Sequence, residues 1–332
     1  MAEVHPWQAD QWRNLAARLA GGNLPHALLL HGPAGTGKAD FAAAFTRLLL
    51  CRQAADARPC GACSACRLYE AGNHPDAHLV EPDKEGGVIK IDQIRALIAD
   101  LGLSSHAGGY KVVTIRPADA MNVSAANSLL KTLEEPPENT LVMLLAEQIS
   151  RLPATIRSRC QQLRFAIPPR AMALQWLQER LPLAEPALAG ELLETAHGAP
   201  LQALANAEQD LPALHQTWLA DLQGLAEGRL DPAKVAGEWL KPDPVMPIQF
   251  LYGRIADLIR LRQVPDSFAD QPGYRKLLYS FPAQIELRKL YAYLDRVAES
   301  LSMMTQLNPL PVIESLLVHW ANMPAQRTTT QG

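Results

Sequence analysis

Four of the five cysteines in this 332-residue chain stand at positions 51, 60, 63 and 66. Four thiolates can surround one soft divalent ion as a tetrahedron with no vacant position, which describes a structural zinc site rather than a catalytic one. A redox C-x-x-C pair and an iron–sulfur cluster draw on the same residues, so these two readings stand beside zinc. Pro59 and Gly61 suit the tight turn such a cluster needs. The fifth, Cys160, reads as a small buried apolar residue.

A second group is "GPAGTGKA" at 32–39. The phosphate-binding loop reads G-x-x-x-x-G-K-[ST], and its last hydroxyl holds magnesium. Gly32, Gly35, Thr36, Gly37 and Lys38 supply the turn, the backbone amides and the cation for a phosphate. Ala39 has no oxygen for the metal. Hydrolysis also needs carboxylates at the end of a neighbouring strand. After "KVVTI" come Arg116 and Pro117, with no carboxylate before Asp119. Two metal contacts are therefore missing together, and nucleotide binding without hydrolysis stays open. A displaced acid, Asp119, is the alternative by which this chain would hydrolyse ATP itself.

The third is Arg159 in "LPATIRSRC", where one or two helical turns are expected. A planar, permanently charged guanidinium suits phosphate. From its position alone, a local surface salt bridge is the better account.

The elements that must position these residues alternate. Apolar runs predict strands at 26–32, 77–82, 110–117, 140–147 and 161–166, nearly continuous and so buried on both faces. Helical spacing predicts helices at 38–50, 91–103 and 122–135. A strand running into a glycine loop and then a helix is the context the phosphate-loop motif requires. On helix 122–135, Asn127 and Lys131 share a face, and Ser124 can cap or face a nucleic acid. After Pro168 and Pro169 only amphipathic helices follow. Breaks divide the chain into 1–168, with the cysteine module at about 51–66, then 169–207 and 208–332.

Composition excludes several classes. Hydrophobic residues make up 48% and charged residues 20%, so the chain is globular rather than disordered. A net charge of −3 argues against a nucleic-acid coat protein. Arginines at 151, 157, 159, 164 and 170 still form a local basic run. No stretch reaches the ~20 apolar residues of a membrane span. "MAEVHPWQAD" lacks a signal's apolar core, and clustered cysteines fit a reducing compartment, so a cytoplasmic location is expected.

Together, "HALLLHGPAGTGK", the "C…CGACSAC" cluster, "NSLLKTLEEPPENTLVMLLA" and "LPATIRSRC" resemble the AAA+ clamp-loader family of DNA replication. The resemblance is specific through residue 170 and thereafter rests on a helical pattern. It implies an α/β P-loop AAA+ module, a parallel sheet with a zinc-module insertion and a helical lid, followed by an all-α C-terminal collar domain. It implies that Arg159 is an arginine finger in trans, reaching the ATP site of a neighbouring subunit. The lid stretch "GAPLQAL" has Leu201 where the family's ATPases carry an arginine. Ala39, Arg116-Pro117 and Leu201 together imply a subunit that does not hydrolyse, with ATP or ADP binding doubtful. Implied partners are the DNA polymerase III gamma/tau ATPase subunits and delta, and, through the assembly, the sliding clamp and primer–template DNA. Helix 122–135 either lines the chamber for that DNA or is a packed helix with a solvated face.

Overall fold

The computed structural model describes residues 3–323 except 85, 103–108, 182–185, 209–210, 242–244, 267–277, 279–280, 282–284 and 305–307. The chain divides into two compact units, Met1–Asn206 and Ala207–Gly332.

In the first unit, strands β1 (Ala27–His31), β2 (Ala77–Val80), β3 (Lys111–Ile115), β4 (Thr140–Ala146) and β5 (Gln161–Arg164) form a parallel sheet of order β2-β3-β4-β1-β5. Strand β1 lies inside the sheet, with Leu29 opposite Leu144 of β4 and Gln162 of β5. Its side chains alternate between two cores, as the period of two demands. Leu28 and Leu30 pack with Phe41, Phe45 and Phe165, whereas Ala27 and Leu29 pack with Ile94, Leu129 and Leu133. β4 is buried throughout. Burial of every strand on both faces does not hold: β5 alternates half-buried and exposed residues, and β2 is buried only at Val80. Both are edge strands, with a neighbouring strand on one side only.

Helices α1 (Ala9–Ala20), α2 (Lys38–Leu50), α3 (Ser64–Glu70), α4 (Ile91–Leu101), α5 (Val123–Glu134) and the single turn α6 (Ala154–Arg157) cover the sheet. Trp12 of α1 meets Phe41 and Phe45 of α2 edge-on at 5.6 and 5.7 Å, which fixes the helix that leaves the glycine loop. The cap of α5 is Asn122, whose side chain accepts from the Ala125 amide at 2.8 Å; Ser124, which the sequence allows either to cap or to face a nucleic acid, is exposed two positions on. Helices α7 (Arg170–Arg180), α8 (Pro186–Thr195) and α9 (Pro200–Glu208) follow.

The second unit is helical: α10 (Leu211–Ala226), α11 (Pro232–Trp239), α12 (Met246–Gln263), α13 (Leu287–Met303) and α14 (Pro309–Asn322). Trp218, Trp239, Tyr293 and Trp320 fill its core. Three of their polar tips are bonded: Trp239 Nε1 donates to Asp221, Trp320 Nε1 to the Leu222 carbonyl and Tyr293 OH to the Leu316 carbonyl. No helix among the described residues is long and apolar enough to cross a membrane.

Two expectations follow. Gly32 holds φ +147°, and a Cβ there would lie 2.0 Å from the Phe165 carbonyl oxygen. Gly32→Ala should therefore destabilise the protein by about 2–4 kcal/mol in chemical denaturation. His215 packs against Trp218 and Phe250. Burial, helped by Arg254, pushes its pKa from 6.5 down to about 4. The unfolded ring gains its proton before the folded one. Stability should thus fall as pH drops from about 6.5 towards 4, by up to about 3 kcal/mol, and His215→Phe should flatten that slope.

Candidate functional site

Gly37 sits in the left-handed region at φ +83° and caps α2, so the free amides of that helix's first turn open beside the loop. The loop is held from two sides. On one, Trp7 Nε1 donates to the Thr36 carbonyl at 3.0 Å, and Gln8 Nε2 reaches the Thr36 and Gly37 carbonyls at 2.9 Å. His5 Nε2 lies 3.0 Å from Asp40. On the other, the Leu201 amide donates to the Gly35 carbonyl at 3.1 Å. A Cβ on Gly35 would meet Gln202 at 2.7 Å, and one on Gly37 would meet His5 at 2.5 Å.

Lys38 is buried, and its Nζ donates to the carbonyls of Gly32 and Pro33, both at 2.7 Å. Burial lowers its pKa, while Glu147 and Asp119 pull it back up. The Thr36 hydroxyl turns onto Pro33, donating to its carbonyl at 2.9 Å.

Beside the loop opens a cavity of about 770 Å³. Gly35, Gly37, Lys38, Ala39, Arg116, Pro117, Asp119 and Leu201 all line it, so residues far apart in the chain meet as one site. Gly32 and Thr36 support the loop from behind rather than lining the cavity. The Arg116 Nε donates to Glu81 at 2.7 Å. Asp119 accepts from the backbone amides of Gln148 at 3.0 Å and Glu147 at 3.4 Å, so both its oxygens hold the turn after β4. Among the described lining residues, the cations Lys38, Lys84, Arg116 and Arg151 are matched by Asp40, Glu81, Asp119 and Glu147. That balance leaves no excess positive charge for a triphosphate. Glu147 was not singled out in the sequence, although an acid directly after a buried strand was there to be read. The strap His5–Gln8 carries no local signal of its role.

Arg159 lies outside this cavity, just past α6. Its Nε donates to Glu134 Oε1 at 2.7 Å and a terminal nitrogen pairs with the same oxygen. Its other terminal nitrogen donates to the Thr155 carbonyl at 3.0 Å. The side chain remains one-third exposed. Glu134, invisible as a partner 25 residues upstream, is the second residue the sequence did not single out.

The four cysteines meet where expected. Cys51, Cys60, Cys63 and Cys66 place their sulfurs within 4.8 Å of one another, and all are free thiols. A tetrahedral zinc–thiolate centre, with bonds of about 2.3 Å, has sulfur–sulfur edges of about 3.8 Å, so this donor set fits a metal ion. A two-residue turn at Asp56–Ala57, both at positive φ, brings the chain back from α2, and Cys63 caps α3. The Arg47–Glu70 pair at 2.8 Å ties α3 to α2. Backbone amides also point at the sulfurs, from Cys60 to Cys51 at 3.2 Å and from Cys63 to Cys60 at 3.3 Å. The amide of Cys66 holds the Cys63 thiol down at about 6, whereas burial pushes Cys66 up to about 12. Cys160 is buried in the core that also holds residues of α5 and α6, as an apolar residue would be.

Residues 7–169 match the family model described as "DNA polymerase III, delta subunit". A Pseudomonas aeruginosa protein named DNA polymerase III subunit delta' is 35% identical over 333 residues, covering 98% of this chain and 99% of that one. The Bacillus subtilis protein of the same name is 48% identical over 145 residues, 43% of this chain and 42% of that one. The Haemophilus influenzae DNA polymerase III subunit tau/gamma is 34% identical over 200 residues, 59% of this chain and 28% of its own. Identity of this order along the full length of the Pseudomonas aeruginosa protein means that this chain belongs to the delta-prime family of DNA polymerase III subunits.

Proposed function

We propose that this chain is a subunit of the DNA polymerase III clamp loader that does not hydrolyse ATP and that lends Arg159 to the ATP site of a neighbour. One observation carries the reading. Neither position 39 nor the end of β3 gives the cavity beside the glycine loop a hydroxyl or an unengaged carboxylate, while a part-exposed arginine stands outside it. At position 39 there is a methyl group. At the end of β3, Arg116 is tied to Glu81, and Asp119 spends both oxygens on backbone amides. That commitment also weighs against hydrolysis with Asp119 as a displaced acid. Leu201 puts an apolar side chain where a lid cation would stand.

On this reading the partners are gamma/tau ATPase subunits and delta, and the assembly acts on the sliding clamp and primer–template DNA. The exposed Asn127 and Lys131 on α5 are suited to face that DNA. Residues 1–168 form the ATPase-like module, 169–207 its lid and 208–332 a collar for assembly. Cys51, Cys60, Cys63 and Cys66 hold zinc, which orders the segment between α2 and α3.

Three measurements test this. In the reconstituted assembly, Arg159→Ala should cut turnover at the one site it serves by 10²-fold or more, and leave the subunit stoichiometry intact. Unchanged turnover would sink the assignment. For the isolated chain, calorimetric titration of an ATP analogue should give the same heat with and without magnesium. Magnesium-dependent hydrolysis abolished by Lys38→Ala would reverse the reading. Elemental analysis should find one zinc per chain, and Cys60→Ser should lower that ratio and loosen residues 51–66 in hydrogen exchange.

A further inference from the structure

Arg159 has a charged head that is fixed to another element. Its neighbours anchor the backbone: Ile156 and Cys160 are buried in the same core as Leu129 and Leu133 of α5. Its head then returns to the last residue of that same helix, Glu134. Root and tip of the arginine are thus both referred to α5.

The guanidinium has five N–H donors in one plane. Nε and one terminal nitrogen close on Glu134 Oε1. The other terminal nitrogen reaches the Thr155 carbonyl at 3.0 Å, with a longer contact of 3.4 Å to the Ser158 hydroxyl. That hydroxyl itself donates to the Thr155 carbonyl at 3.1 Å. The carboxylate therefore takes the side of the fork nearest the chain, and donors on the terminal nitrogens are left for an incoming anion. A long side chain loses several freely rotating bonds when it is ordered, so one held beforehand gives up less on meeting its target.

We propose that Glu134 is the positioning residue of Arg159: it orders the guanidinium so that its outer edge meets the phosphate of a nucleotide held by a neighbouring subunit. This rests on the reading of Arg159 as a residue acting in trans. Glu134 itself touches no nucleotide. Its carboxylate acts through geometry, not through charge on the reacting phosphate, where a negative group would oppose binding. Glu135, the next residue, is exposed, has no such contact and serves as a control.

The experiment uses the full chain in the reconstituted clamp loader, comparing Glu134→Ala, Glu134→Gln, Glu135→Ala, Arg159→Ala and the double variant Glu134→Ala/Arg159→Ala. Turnover is followed across ATP concentration, with assembly and melting temperature measured alongside. Glu134→Ala should lower kcat severalfold and leave KM for ATP within about twofold. Glu134→Gln keeps an acceptor oxygen and should fall between the wild type and the alanine variant. The double variant should be no slower than Arg159→Ala alone, because paired residues in one pathway do not add. If Arg159→Ala has no effect, the arginine assignment fails and this inference with it. If Arg159→Ala slows turnover but Glu134→Ala leaves it unchanged or raises it, only the positioning role fails. A further loss from Glu134→Ala in the Arg159→Ala background would likewise overturn it. Should the alanine variant not fold, Glu134→Gln against Glu135→Ala carries the same comparison.

Discussion

Neither Gly35 nor Gly37 has room for a single carbon beyond its backbone, and the architecture around the site follows from that closeness. Gly35 is pressed by α9 and Gly37 by His5, while Gly32 lies against the Phe165 carbonyl. Three elements distant in sequence converge on six residues of loop. Because the loop turns inward there, its carbonyls would be buried without partners, at a cost of about 1–3 kcal/mol each. Trp7, Gln8, Lys38 and the Leu201 amide satisfy them. The first residues of the chain and the start of α9 are therefore as much part of the loop as the glycines.

Interactions close in sequence were legible; those that join distant segments were not. Strands β1, β3 and β4 stand within a residue or two of their apolar runs, because buried parallel strands show as such runs. The cysteine cluster is equally local: all four ligand candidates fall in sixteen residues. Helix α1 carried a readable stripe, Trp12, Leu15 and Leu19 at helical spacing and all packed in one core, that went unread. Helix α3 has seven residues and is held by Cys63 and by Arg47–Glu70 rather than by its own pattern. Helix α11 carried a readable start, Asp231 followed by Pro232, and that signal was overlooked. Glu134 and the His5–Gln8 strap had no signal at all, since their meaning arises only when the sheet brings them beside Arg159 and Thr36.

Arg116 and Arg159 differ in what holds them. Arg116 lines the cavity and is neutralised there by Glu81, at 39% and 45% exposure respectively. In so open a setting such a pair contributes little stability, about 0–1 kcal/mol, yet it still occupies the space where a metal-binding carboxylate would stand. Arg159 is neutralised as well, but outside the cavity, on a turn whose backbone is locked into the core. An arginine so mounted can meet a group brought to it from outside its own fold. An arginine inside the cavity can only modify its own loop.

Lys38 holds its own loop together. A lysine after the last glycine is ordinarily read as evidence of phosphate chemistry, and here it stands beside a missing hydroxyl. Its two bonds to the Gly32 and Pro33 carbonyls supply another sufficient reason for it. Those carbonyls belong to the tightest part of the turn, where Gly32 is already pressed on Phe165, and no water-sized gap is needed if an ammonium bridges them. Glu147 and Asp119 favour its charged form against the burial that opposes it. A group stabilised in this way closes the loop on itself. The near-complete motif is thus accounted for by the folding of the turn, and the lysine alone does not make the cavity a site of hydrolysis.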